Sequence, residues 1–106
     1  MDQREIVLCA ASAYEKKFYL NQEFQGLPQG IKDELKIMCV LFTEDVGGVV
    51  ELIYEEDGEL KFRTFADEGD YLYDEIGSIL KVKELQREKT ELLESLQMFY
   101  RVFMED

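Results

Sequence analysis

Apolar positions recur along this chain in two rhythms, and together they divide it into four segments. From about Gln3 to Leu20, the residues Val7, Ala10, Ala11, Tyr14 and Phe18 recur at spacings of three and four, the period of one helix face. A first helix is expected there, although its Lys-Lys-Phe-Tyr-Leu end also suits a short strand. The block Cys9-Ala10-Ala11-Ser12-Ala13 is made of small side chains that let another element approach closely. A Pro/Gly-marked break, Gln25-Gly26-Leu27-Pro28-Gln29-Gly30, follows. A second helix starts near Pro28, whose missing N–H costs nothing at a first helical position. Ile31, Leu35, Met38 and Phe42 form its stripe. From Ile37 to Phe42 it is apolar all round, so it reads as the central core element, ending near Gly47-Gly48.

The third segment changes period. Gly48 to Glu55 and Glu59 to Ala66 are rich in β-branched and aromatic residues and flank Glu56-Asp57-Gly58, a β-hairpin signal. A two-residue Asp-Gly turn would mix charged and apolar groups on both faces. A three-residue loop with Gly58 in the left-handed conformation pairs Tyr54 with Leu60, Leu52 with Phe62 and Val50 with Thr64. It leaves Glu51 against Arg63 and Ile53 against Lys61 on the other face, and it is the register expected.

The last segment reads as one helix from about Tyr71 to Met104, N-capped by Asp70, with Asp74 and Glu75 suiting its positive end. Val82, Leu85, Lys89, Leu92, Leu96, Phe99 and Phe103 keep a strict coiled-coil spacing. Leu72, Ile76 and Ile79 do not continue that seam in phase, and Gly77-Ser78 is where a kink is expected. A straight helix of about 34 residues would span roughly 51 Å. A compact domain of this length is only about 34 Å across. The helix therefore either folds back or is covered by another chain.

The fold class expected is thus α+β in two layers: two N-terminal helices, one antiparallel β-hairpin and a long C-terminal helix, in a single domain over 1–106. The hairpin keeps open edges, and its second face carries Val49, Ile53 and Phe65. With Leu92, Leu96, Phe99 and Phe103 on the last helix, these residues form the candidate interface of a homodimer.

Composition narrows the chemistry. The 106 residues include no His and no Trp, two Cys, and 24 Asp+Glu against 12 Lys+Arg, a net charge of −12. Without histidine the usual general base, nucleophile activator and commonest metal ligand are gone, so hydrolysis by a Ser/His/Asp or Cys/His arrangement is excluded. Cys9 and Cys39 lie 30 residues apart with no C-x-x-C, which disfavours a zinc site. The acidity works against nucleic acid and anionic membranes alike. Ile37 to Phe42 is the longest apolar run, far short of a membrane span, and the start Met-Asp-Gln-Arg-Glu carries no export signal. Two buried free thiols suit a reducing cytoplasm.

Carboxylates cluster at Glu55-Glu56-Asp57-Gly58-Glu59 and at Asp67-Glu68-Gly69-Asp70 with Asp74-Glu75, but neither run fits a calcium loop. Turn chemistry and helix capping account for both. There is no phosphate-binding glycine loop. The chain is expected to be no enzyme and to carry no catalytic residue, metal or cofactor. The function expected is a small acidic interaction or regulatory domain that self-associates. The alternative is a sensor of small molecules or divalent cations, with its six tyrosines and its carboxylates lining a cleft. The strings ASAYEKKFYLN, KIMCVLFTEDVGG and EGDYLYDEIGS resemble a family of short bacterial proteins of clostridial type with no known function. The resemblance covers nearly the whole chain. It implies a bacterial cytoplasmic setting and brings no site residue.

Overall fold

The computed structural model describes residues 5–104; Gln3 and Arg4, where the first helix is expected to begin, lie outside them. In chain order the elements are β1 (Ile6–Ser12), β2 (Lys17–Leu20), a 3-10 turn (Gln22–Phe24), α1 (Gln29–Val46), β3 (Val49–Tyr54), β4 (Leu60–Phe65), α2 (Glu75–Glu88), α3 (Thr90–Phe99) and a π-helical turn (Tyr100–Met104). One antiparallel sheet, in the order β2-β1-β3-β4, carries the helices. The class is α+β, but the layout differs from the expectation of two N-terminal helices, one hairpin and one long helix.

The first expected helix is a second hairpin. β1 pairs with β2 on one side and with β3 on the other, so its backbone is satisfied as a central strand. Its period of two is hidden by a register shift between Val7 and Cys9, which buries Leu8 and Cys9 in succession. The small residues still do what their size allows. They let α1 come close, so that the Sγ atoms of Cys9 and Cys39 stand 3.8 Å apart. The sheet is four-stranded within one chain, so no second copy is needed to complete it.

The β3–β4 hairpin takes the three-residue loop. Tyr54 faces Leu60, Leu52 faces Phe62 and Glu51 faces Arg63. Gly58 at φ +87° has no Cβ to press on the ring of Tyr100, which a side chain there would meet at 2.9 Å. Val50, Leu52 and Tyr54 share one sheet face by alternation. With Cys9 and Ala11 they join Leu35, Met38, Cys39, Phe42 and Val46 of α1 and Leu92, Leu96 and Tyr100 in a single core.

The last segment is two helices, broken at Lys89 and not at Gly77-Ser78. Asp74, not Asp70, is the N-cap of α2, and its carboxylate accepts the Gly77 N–H at 2.9 Å. A Cβ at Gly77 would collide with that same carboxylate, so the glycine serves the cap and makes no kink. Lys89 leaves helical geometry at φ −107°, ψ 30°, and the Thr90 hydroxyl donates to the Arg87 carbonyl at 3.0 Å, closing off α2. Lys89 is the one charged position of the predicted seam. It reaches instead to Glu34 on α1 at 3.3 Å. With its start at Glu75 and its break at Lys89, the last segment belongs to a body 43 Å in its longest dimension.

Candidate functional site

α2 is held to the rest of the molecule by its inward side. The Asp74 N–H donates to the Val46 carbonyl at 3.0 Å, tying the helix start to the end of α1. Ser78 is buried, and the Tyr73 hydroxyl donates to its Oγ at 2.8 Å. Lys81 pairs with Asp45 at 3.0 Å and with Glu84 at 3.5 Å; the Asp45 contact raises its pKa above the ordinary lysine value. Val82 and Leu85 pack partly against the core. With Lys89 on Glu34, two ion pairs between the helices bracket a hollow of about 350 Å³ floored by Met38, Phe42 and Leu85.

That anchoring fixes what faces water. Helical rotation of 100° per residue turns Ile76, Ile79 and Leu80 away from Ser78 and Leu85. Leu72 is 93% exposed, Ile76 72%, Ile79 55% and Leu80 61%. Tyr71 and Phe65 are exposed beside them, and Phe65 and Ile79 line one shallow hollow. Phe65, Tyr71, Leu72, Ile76, Ile79 and Leu80 thus expose large apolar side chains on and just before α2, where an ordinary surface shows such residues scattered singly. Farther along the same helix face lie Lys83 and Arg87, with Leu80 between them and Gly77.

The predicted interface residues are distributed differently. Leu92 and Leu96 are buried within the single chain, and Phe99 is partly buried, its ring tilted against those of Phe24 and Phe103. Phe103 itself is 70% exposed. Val49, Ile53 and Phe65 alternate onto the sheet face away from α1. There Ile53 is fully buried, while Arg63 bridges Glu51 at 2.9 Å and Glu5 at 3.0 Å. Phe65 alone joins the α2 surface. The residues that reasoning from sequence passed over are Leu72, Ile76, Ile79 and Leu80. Their signal was the phase mismatch with the coiled-coil seam.

Other chemistry-bearing groups are tied to structural partners. The buried Cys9 thiol is pushed up in pKa by its hydrogen bond with Cys39 and by burial, which keeps it protonated and unreactive. The six tyrosines do not gather in one cleft. Tyr54 and Tyr100 stack in the core at 4.7 Å, and the Tyr54 hydroxyl donates to the Leu96 carbonyl at 2.6 Å. The Tyr14 hydroxyl donates to Asp70 at 2.5 Å and accepts the Asp67 N–H at 2.9 Å, so the β1–β2 turn is clamped to the acidic loop. No group of three or more His, Cys, Asp or Glu among the described residues is arranged to hold a metal. No helix among them is long and apolar enough to cross a membrane.

A family profile matches residues 5–106, nearly the whole chain. The chain belongs to DUF6145, a family of unknown function. That agrees with the resemblance drawn from the sequence strings, as far as a family without assigned activity. No curated protein and no solved structure matches the chain.

Proposed function

We propose that this protein is a small non-enzymatic interaction domain of a bacterial cytoplasm, and that it works as a homodimer joined through α2. The observation that carries the proposal is the outward face of α2 with its flanking loop, where Leu72, Ile76, Ile79 and Leu80 stand in water. Free thiols 3.8 Å apart suit a reducing compartment. The resemblance to short bacterial proteins supplies the rest of the setting.

The charge pattern favours a second copy as the occupant. Antiparallel α2 helices crossing near Ser78 bring Ile76 of one copy against Leu80 of the other. Lys83 and Arg87 on the same face would lie at the rim of that contact, facing a second copy of net charge −12. Such a contact would be isologous: each half would supply both the apolar centre and the basic rim.

Light scattering on the full chain tests the reading. A species of about twice 12.5 kDa is expected at micromolar concentration, and Leu80→Asp should return it to 12.5 kDa with its circular dichroism unchanged. A wild-type protein that stays at 12.5 kDa at every concentration refutes it.

A further inference from the structure

A second feature lies on the other side of α1, away from α2. Between the β1–β2 turn and α1 there is a cleft of about 560 Å³ lined by Ala11, Ala13, Phe18 and Val40 and by three lysines, Lys16, Lys17 and Lys36, with Ser12, Thr43 and Glu44 completing the wall. Its volume lies within the ~300–1,000 Å³ of small-molecule sites.

The charge at this cleft runs against the rest of the chain. Carboxylates outnumber basic groups two to one overall, 24 to 12. Of the residues that line the cleft three are basic and one, Glu44, is acidic. Lys61, Arg63, Lys81 and Lys89 each hold a carboxylate partner. Among the described residues Lys16, Lys17 and Lys36 form no ion pair, and they line the cleft. Guarding a sheet edge is one established use of lysine and would account for Lys17 on the edge strand β2. It does not account for Lys36, which comes from a helix, or for Lys16.

Lys16 carries the second observation. Among the described residues it is the one non-glycine with a left-handed backbone, φ +54°. A bulky residue there costs on the order of 1 kcal/mol that glycine or asparagine would spare. The turn is otherwise set by Ser12, whose Oγ accepts the N–H groups of Tyr14 at 3.2 Å and Glu15 at 3.1 Å and whose carbonyl accepts the Lys16 N–H at 2.8 Å. The Ser12 hydroxyl proton remains free to donate. Lys16 on this turn and Lys36 on α1 thus bring two basic residues from separate elements to one cleft.

We propose that this cleft binds a small organic anion, its phosphate or carboxylate held by Lys16 and Lys36 and its apolar body resting on Phe18 and Val40, while Lys17, opposite Ser12 in the register, faces the other side of the sheet. Phosphate and carboxylate offer the same chemistry to ammonium groups, and the probes separate them. The apolar floor favours a ligand with a ring or chain over a bare inorganic ion.

The experiment is an amide-shift titration of the full chain by NMR with phenyl phosphate, benzoate and inorganic phosphate. Saturable shifts are expected at residues 11–18 and 36–44, with phenyl phosphate or benzoate binding at least several-fold more tightly than inorganic phosphate. Lys36→Glu should weaken that binding at least tenfold. Lys16→Gly should weaken it severalfold while raising the melting temperature, because it removes both the charge and the strain. Arg101→Glu, near the C-terminal end and outside the cleft, should leave it within twofold. Absence of saturable shifts with all three probes overturns the proposal, as do shifts centred on α2 or equal losses in Arg101→Glu and Lys36→Glu.

Discussion

Tyr54→Phe removes one oxygen atom from the middle of the core. The Tyr54 ring is fully buried, lies between Phe24 at 5.5 Å and Tyr100 at 4.7 Å, and donates its hydroxyl to the Leu96 carbonyl at 2.6 Å. That single hydrogen bond fastens the end of β3 to α3. The substitution keeps the stacking and loses the bond. The Leu96 carbonyl still accepts the Tyr100 N–H, so it is not orphaned. The loss at neutral pH is therefore about 1–1.5 kcal/mol, near the net value of one hydrogen bond, or ~5–10 °C in melting temperature for a domain of this size. Burial, with smaller contributions from Cys9 and Tyr100, holds the Tyr54 phenol well above the ordinary tyrosine range. The neutral phenol's contribution is complete below about pH 10, the unfolded value, and is lost as pH rises toward the folded one, because the unfolded chain releases that proton first. The gap between wild type and Tyr54→Phe should then shrink by about 1.4 kcal/mol between pH 9 and pH 11. Urea unfolding followed by circular dichroism, at one fixed protein concentration, measures both quantities. A gap that stays constant to pH 11, or a variant as stable as wild type at pH 7, would refute the reasoning.

Three other perturbations separate parts of the account. Gly58→Ala should cost about 1–3 kcal/mol in urea unfolding, since it forces a side chain into left-handed backbone and against the Tyr100 ring. Leu96→Ala should cost about 2–5 kcal/mol by the same assay, whereas Phe103→Ser should stay within roughly 0.5 kcal/mol, because only the first side chain is in the core. The Tyr14 hydroxyl holds the Asp70 carboxyl below its usual range. The clamp between the β1–β2 turn and the acidic loop should therefore be intact above about pH 4 and loosen as pH falls through the folded value. Hydrogen exchange at the Asp67 amide should show that loss in wild type, and Asp70→Asn should abolish its pH dependence.

Where one element's pattern was set by its own neighbours along the chain, the sequence was legible. The β3–β4 register followed from putting Val50, Leu52 and Tyr54 on one face, and α1 followed from its stripe and Pro28. β1 was not legible, because the register shift at Leu8 erased its alternation and left Val7, Ala10, Ala11, Tyr14 and Phe18 at helical spacings. Its strand character comes from long-range pairing with β3, between Ile6 and Tyr54 at one end and Ser12 and Val49 at the other, which no local window contains. The seam over α2 and α3 misled for a related reason. Its periodicity was real in each half, but the charged position Lys89 is drawn to Glu34 of α1, and the chain breaks there. Of the exposed apolar positions at α2, Phe65 is legible as an interface candidate, while Leu72, Ile76 and Ile79 are visible only as a stretch out of phase.

The account rests most heavily on the outward face of α2 meeting its counterpart in a second copy. Isotope-filtered NMR on a mixture of labelled and unlabelled chains reads that contact directly. Magnetisation transfer between the Ile76 and Leu80 methyl groups of different copies is the predicted result, disappearing in Leu80→Asp. Intermolecular transfer that is absent at submillimolar concentration, or that connects other surfaces while Ile76 and Leu80 stay silent, would contradict it.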